Sequence, residues 1–316
     1  MNVSKSLKHW ALGFTAIVLA SNLITIEAAP KPAQTKSAVT KTTTKVVTPK
    51  PTVTVTSTTV KGQPVDFFVL GDWGTGLSGQ FKISKAMTDF HAKSPIQFIV
   101  TVGDNIYPDG DINALAQAFY YKPYAALLKQ KIHFYATLGN HDVPHQADQI
   151  KFFNMPGRYY SFTKGNTQFF VTDTNNFNAE EMAWLNGALA KSTAKWKIVT
   201  GHHPVYSHGP HGQEKEPKQL ARDLKPILEK HHVDFYLSGH DHDYERFKPV
   251  NGVYYIVAGG GGASLRPLEK TTLATEATVS KVEHHYMWVR IDGNKFYAKA
   301  LGPNNKIIDS FYLQKK

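Results

Sequence analysis

Apolar runs of strand length recur along the chain, separated by longer stretches with helical spacing. The runs predict strands over residues 65–70, 97–102, 133–138, 168–172, 196–200, 234–237 and 253–257. The stretches between them predict helices over 78–92, 112–128, 179–189 and 218–231. Strands that alternate with helices argue for an α/β layered fold. No internal repeat interrupts the pattern.

The first 62 residues have a different texture. Lys5 and Lys8 precede an apolar segment, 10–19, and small residues follow, with Ala28 or Ala29 suited to cleavage. This reads as a secretory signal over 1–29, because the apolar segment is short for a membrane span. An uncleaved anchor is the competing reading, since Leu23, Ile24 and Ile26 prolong the apolar character. Residues 30–62 are dominated by Lys, Thr, Pro, Ser, Ala and Val and contain no acid. Such a segment cannot bury enough apolar area to offset the entropy of ordering it, so it reads as a disordered linker. Residues 63–316 are then the catalytic domain, and export to a periplasmic or secreted location follows from the leader.

Composition narrows the chemistry. Of 316 residues, 41% are hydrophobic and 12% aromatic, enough for a sizeable core. Cysteine is absent, which excludes a thiol nucleophile, a thiolate metal site and a disulfide framework. Any metal must be held by oxygen and imidazole. The formal charge is +11, but residues 1–62 hold eight lysines against one acid, Glu27, a net of +7 that leaves +4 for the rest. Basicity confined to a tail argues against specific nucleic-acid binding and allows only a weak electrostatic contact with an anionic surface.

Five short blocks each follow a predicted strand: 71–74 (Gly-Asp-Trp-Gly), 103–107 (Gly-Asp-Asn-Ile-Tyr), 139–142 (Gly-Asn-His-Asp), 199–202 (Val-Thr-Gly-His) and 239–242 (Gly-His-Asp-His). In α/β sheets ligands bind outside the carboxyl ends of the strands. Asp72, Asp104, Tyr107, Asn140, His202, His240 and His242 would therefore point into one crevice. Phosphate-ester hydrolysis is helped by two cations ~3.5–4 Å apart, and two such ions need an anionic bridge. The blocks supply one bridging acid and three further ligands per ion. Tyr107 ligates usefully only as phenolate, and a phenol titrates near pH ~10 in water, so it points to a strongly Lewis-acidic partner such as Fe(III).

These blocks resemble those of the metallophosphoesterases, and Tyr107 in Gly-Asp-x-x-Tyr together with Asp72-Trp73-Gly74 resembles the purple acid phosphatases, including the small tartrate-resistant type. The resemblance covers roughly residues 67–262. It implies a four-layer α/β/β/α sandwich with two mixed sheets. It implies that Asp72, Tyr107 and His242 hold Fe(III), that Asn140, His202 and His240 hold a divalent ion (Fe, Zn or Mn), and that Asp104 bridges them. It implies hydrolysis of phosphate monoesters, as an acid phosphatase, through a metal-bound hydroxide, with His141 assisting the phosphate or the leaving group. His208 resembles a second active-site histidine, although its spacing from His202 differs from the family's. The substrate would be a small phosphorylated compound. A phosphodiesterase or nuclease on the same metals is the alternative, and a surface-attached binding module a third reading.

Other residues read as structural. His203 should point away from His202, and Asp173 should serve a turn. The pairs 231–232 and 284–285 read as surface histidines. The run Gly259 to Gly262 is either a tight turn or a loop that approaches substrate. A Walker-type phosphate loop, a Gly-x-Ser-x-Gly elbow and a His-Glu-x-x-His helix are all missing.

Overall fold

The computed structural model describes residues 62–269, 273 and 275–316, together with the pair Val55–Thr56. The expected leader and the rest of the expected linker lie outside the described residues. The strands are β1 (Val55–Thr56), β2 (Val65–Leu70), β3 (Phe98–Thr101), β4 (His133–Tyr135), β5 (Tyr160–Lys164), β6 (Thr167–Val171), β7 (Trp196–Thr200), β8 (Phe235–Ser238), β9 (Tyr244–Phe247), β10 (Tyr254–Ala258), β11 (Ala277–Lys281), β12 (Tyr286–Asp292), β13 (Lys295–Leu301) and β14 (Ile307–Gln314). The helices are α1 (Ser78–Lys93), α2 (Ile112–Ala116), α3 (Lys122–Lys129), α4 (Gln146–Phe152), α5 (Ala179–Lys191), α6 (Lys215–Asp223) and α7 (Lys225–Lys230).

Two mixed sheets result. One runs β1-β5-β6-β7-β8-β10-β9-β11 and the other β14-β13-β12-β2-β3-β4. Within them β6-β7-β8-β10 and β2-β3-β4 are parallel runs. Alternate residues of a strand face opposite ways, and the core follows that rule. Phe169, Ile198 and Ile256 enter the core shared with the second sheet, while Phe170, Val199 and Val257 pack with Leu185, Leu220 and Leu228 of the outer helices. Phe67 stacks on its strand neighbour Phe98 and meets Phe169 across the sheet interface, whereas Phe68 meets Phe90 of α1 on the other side. Helices therefore cover both outer faces, which is the expected four-layer sandwich.

Every predicted strand and helix forms, with shifts that have local causes. The long helix expected over 112–128 is three pieces, with one turn of wider π-helix at Gln117–Tyr121 between α2 and α3. The helix expected over 218–231 breaks between α6 and α7, where Pro226 cannot donate a backbone bond. The strands β1, β5, β9 and β11 to β14 were not foreseen. In β12, β13 and β14 charged residues interrupt the apolar positions, which leaves only the short run 286–289 apolar throughout. His285 is a further correction. The expected surface pair has one fully buried member, just before β12, whose ring lies 5.3 Å from that of Tyr244 at the start of β9.

Candidate metal centre

The carboxyl ends of β2, β3 and β4 in one sheet and of β7 and β8 in the other open onto the same place. Seven nominated side chains meet there in two groups. In the first, the Tyr107 hydroxyl lies 3.3 Å from Asp72 Oδ1 and 3.3 Å from His242 Nε2, and His242 Nε2 lies 3.5 Å from Asp72 Oδ1. In the second, His202 Nε2 lies 2.9 Å from Asn140 Oδ1 and 3.2 Å from His240 Nδ1. Asp104 belongs to both. Its Oδ2 accepts from the Tyr107 hydroxyl at 2.8 Å, and its Oδ1 lies 3.3 Å from His202 Nε2.

The backbone is bent to achieve this. Asp72 (φ 56°), Asp104 (φ 51°) and His240 (φ 70°) all adopt the left-handed region that non-glycine residues avoid. Such positions each cost on the order of 1–3 kcal/mol and persist where surrounding structure enforces them. The adjoining glycines make room. A Cβ on Gly139 would stand 2.1 Å from Asp104 Oδ1, and one on Gly239 would stand 2.3 Å from Asp72 Oδ2. The run 259–262 also presses on Asp72, since a Cβ on Gly259 would lie 2.8 Å from Asp72 Oδ2.

Ring orientations are set from behind. His202 Nδ1 bonds to the Val102 carbonyl at 2.9 Å and His242 Nδ1 to the Ser264 carbonyl at 2.7 Å. Each ring thus donates through Nδ1 and turns an Nε2 lone pair inward, as second-shell carbonyls do for metal-binding histidines. A second support ties the loops together. Buried Asp142 accepts from the backbone N–H groups of Asn105, Ile106 and Gly139, from Asn105 Nδ2 and from Gln149 Nε2. It thereby joins the loop of Asp104 and Tyr107 to that of Asn140. Asn105 in turn holds Trp73 Nε1 and Thr101 Oγ1.

The electrostatics call for a cation. Burial, with Asp104 beside it and His202 opposing, pushes the Asp72 carboxyl well above the ordinary range. Burial, Asp72 and Asp104 likewise hold Tyr107 as a neutral phenol. Burial disfavours a charged His202, yet Asp104 and Asp72 outweigh it and push the imidazole up to about 10. The acids beside it thus hold a proton on His202. Burial keeps His242 neutral, down to about 4, and burial with His202 keeps His240 neutral as well. Two carboxylates, a phenol, an amide oxygen and inward imidazole lone pairs form a hard, oxygen-and-nitrogen donor set. Donor spacings near 3 Å are those expected around ions with ~2.0–2.2 Å bonds. The residues fit a metal pair.

His141 stands at the rim, its ring 4.4 Å from that of Tyr107 and its Nε2 3.9 Å from Asp104 Oδ2. His208 does not occupy the place expected of it. Ser207 is pinned between Asp241 and Glu245, the His208 amide donates to Glu245 Oε1, and its ring faces Phe247 at 5.6 Å. The histidine beside the centre is His211, whose ring lies 4.4 Å from His240 and which contacts Glu214 and Arg266. Sequence analysis named only His208 and passed over His211, three residues further on. His203 bonds to Thr174 Oγ1 but does not point away as expected, since its ring lies 5.2 Å from that of His202 and 4.5 Å from that of His240. Asp173 caps the turn at Asn175 while pairing with Arg158.

A four-layer sandwich with such donors at converging strand ends defines a metal-dependent phosphoesterase. The chain belongs to the Calcineurin-like phosphoesterase family, whose profile matches residues 65–244. Among its relatives, Purple acid phosphatase 7 of Arabidopsis thaliana is 30% identical over 242 residues, 64% of this chain and 71% of that one. Tartrate-resistant acid phosphatase type 5 of Homo sapiens is 27% identical over 237 residues, 62% and 72% of the two chains. A purple acid phosphatase from yellow lupin (Lupinus luteus) seeds shares the fold with a TM-score of 0.63 at 18% identity, over 81% of this chain and 55% of that one. The inner-membrane-complex anchor GAP50 of Plasmodium shares it with a TM-score of 0.69 at 23% identity, over 80% and 89%. Family membership implies a dinuclear metal centre, and the protein is a metal-dependent phosphoesterase.

Proposed function

We propose that this protein is an acid phosphatase acting on phosphate monoesters, with Fe(III) held by Asp72, Tyr107 and His242 and a divalent ion held by Asn140, His202 and His240. One observation carries the reading: Asp104 places one oxygen in each donor group, 2.8 Å from the Tyr107 hydroxyl and 3.3 Å from His202 Nε2. That is the position a bridging carboxylate must have. A metal pair supplies Lewis acidity, lowering the pKa of water and neutralising charge on phosphoryl oxygens. The protein's own groups do the rest. His141 bonds through Nδ1 to the Pro108 carbonyl, which turns Nε2 toward the centre, where it can pass a proton to the leaving oxygen. Arg266, in contact with His211, adds positive charge for a phosphate dianion. Tyr107 favours Fe(III), because a phenol held neutral by burial and two acids yields its proton only to a strong Lewis acid.

Secretion belongs to the same reading. The leader-like residues 1–29 direct export. The test is metal analysis of native protein together with phosphate release from p-nitrophenyl phosphate below neutral pH. The native protein should be coloured and contain iron, and Tyr107→Phe should remove the colour. Colourless, active protein holding only zinc or manganese would remove the iron assignment. Turnover of bis-p-nitrophenyl phosphate without turnover of the monoester would make it a phosphodiesterase.

A further inference from the structure

Tyr107, His141 and His242 form part of the lining of a cleft of about 470 Å³. The remainder of the lining is mostly apolar, with Leu77, Pro108, Phe119, Ala263 and Leu265 prominent and Thr75, Ser264 and Arg266 among them. Two of these residues occupy positions that stability alone would fill differently. Leu77 is the N-cap of α1, where Ser, Thr, Asp or Asn would bond the exposed amides, and it makes no such bond. It is instead 50% exposed, among the largest apolar exposures in the described residues. Phe119 sits in the π-helical turn Gln117–Tyr121, a rare geometry concentrated at functional sites.

The wall is built, not incidental. Fully buried Gln80 accepts from the Gly76 N–H at 2.8 Å and donates to the Phe119 carbonyl at 2.6 Å, tying the start of α1 to the π turn. Gly76, at φ 70°, lies so close that a Cβ there would stand 2.3 Å from the Phe119 ring. The apolar wall is thus continuous with the donor groups and held in register with them.

We propose that this cleft receives the alcohol portion of the substrate, and that the preferred substrates are phosphate monoesters of apolar alcohols, alkyl or arylalkyl. This rests on the phosphomonoesterase reading and names its substrate class. The phosphate sits at the donor centre, the ester P–O bond breaks, water's oxygen bonds to phosphorus, and the alcohol leaves with a proton into the Leu77–Phe119–Leu265 cleft. A sugar or polyol in that position would set the hydroxyls that Thr75, Ser264 and Arg266 do not reach against Leu77, Phe119 and Leu265, which is costly.

The experiment uses metal-loaded protein and two series. The n-alkyl phosphates from ethyl to hexyl have leaving alcohols of nearly equal acidity, so chain length changes contact and not intrinsic reactivity. The n-alkylphosphonates from methyl to hexyl are not hydrolysed and report binding by calorimetry. Both kcat/KM and phosphonate affinity should rise roughly two- to four-fold per methylene. Leu77→Ser and Leu265→Ser should flatten both slopes, and a slope within one variant cancels any general loss of activity. Series that are flat or falling in the unaltered protein, or slopes unchanged in both variants, would overturn the assignment. If ethyl phosphate is turned over while the series is flat, only the apolar subsite fails. If ethyl phosphate is not hydrolysed and methylphosphonate is not bound, the monoesterase reading itself fails and takes this inference with it.

Discussion

Replacing Asp142 with alanine should damage both stability and the metal centre, although Asp142 is in neither donor group. Its carboxylate accepts from the backbone N–H groups of Asn105, Ile106 and Gly139, which make no other hydrogen bond among the described residues. The two side-chain donors are less dependent on it. Asn105 Nδ2 keeps the Thr137 carbonyl at 2.8 Å, and Gln149 Nε2 keeps the Gly110 carbonyl at 3.0 Å. Three buried amides left unpaired at roughly 1–3 kcal/mol each give a loss of about 3–9 kcal/mol, less whatever an entering water recovers. That is a large share of a typical ~5–15 kcal/mol. Asp142→Asn keeps one acceptor oxygen but turns an amide group toward donors, and should cost roughly 1–3 kcal/mol. Both changes release the loops of Asp104 and Asn140 from one another, so metal affinity should fall about 10–100-fold, as for other outer-shell partners. Urea denaturation of metal-free protein measures the first effect, and competition with a coloured chelator measures the second. An Asp142→Ala protein within ~1 kcal/mol of the parent and with unchanged metal affinity would refute the account of how these loops are held.

Three further outcomes follow from other parts of the site. Gly239→Ala should fold but bind metal poorly, because its Cβ would stand 2.3 Å from Asp72 Oδ2 and 3.0 Å from the Val102 carbonyl; full metal occupancy by elemental analysis would contradict this. Stripping the metals with a chelator should lower the unfolding midpoint by an amount that grows with added metal, about 2.7 kcal/mol at a hundredfold excess over Kd, and a midpoint insensitive to metal would show that the donors hold none. Asp309 ties β14 to β9 through Arg246 (2.6 and 3.1 Å) and Tyr244 (2.8 Å). Burial opposes its charge, but these partners win and hold its carboxyl below the ordinary 3.8. A depressed carboxyl contributes stability above the unfolded value of 3.8 that is lost as pH falls through the folded one. Asp309→Asn should therefore cost roughly 2 kcal/mol near neutrality, with the gap closing below about pH 4; a pH-independent gap in thermal melts would contradict the pairing.

The candidate donors could be picked out in the sequence because the blocks that carry them follow strand ends marked by glycine. A close turn beside a bound ion excludes a side chain, so Gly139 and Gly239 carry the signal as much as Asp72 or His240 do. The parallel strands were legible for a related reason: burial on both faces leaves nearly continuous apolar runs, as in 65–70 and 196–200. The leader and linker expected over 1–62 rest on composition alone.

What remained belonged to contacts between distant segments. Which histidine stands beside His240 depended on how Asp241 and Glu245 hold Ser207, a bond across more than thirty residues that turns His208 toward Phe247 and leaves His211 at the centre. The role of Asp142 depended on three amides from two other loops. The apolar cleft depended on Gln80 bringing Leu77 and Phe119 together across some forty residues. Local spacing determines which side chains can face a crevice, because strand and turn geometry is local. Which of them share it, and with what neighbours, is decided by hydrogen bonds and packing between elements that only the folded chain brings into contact.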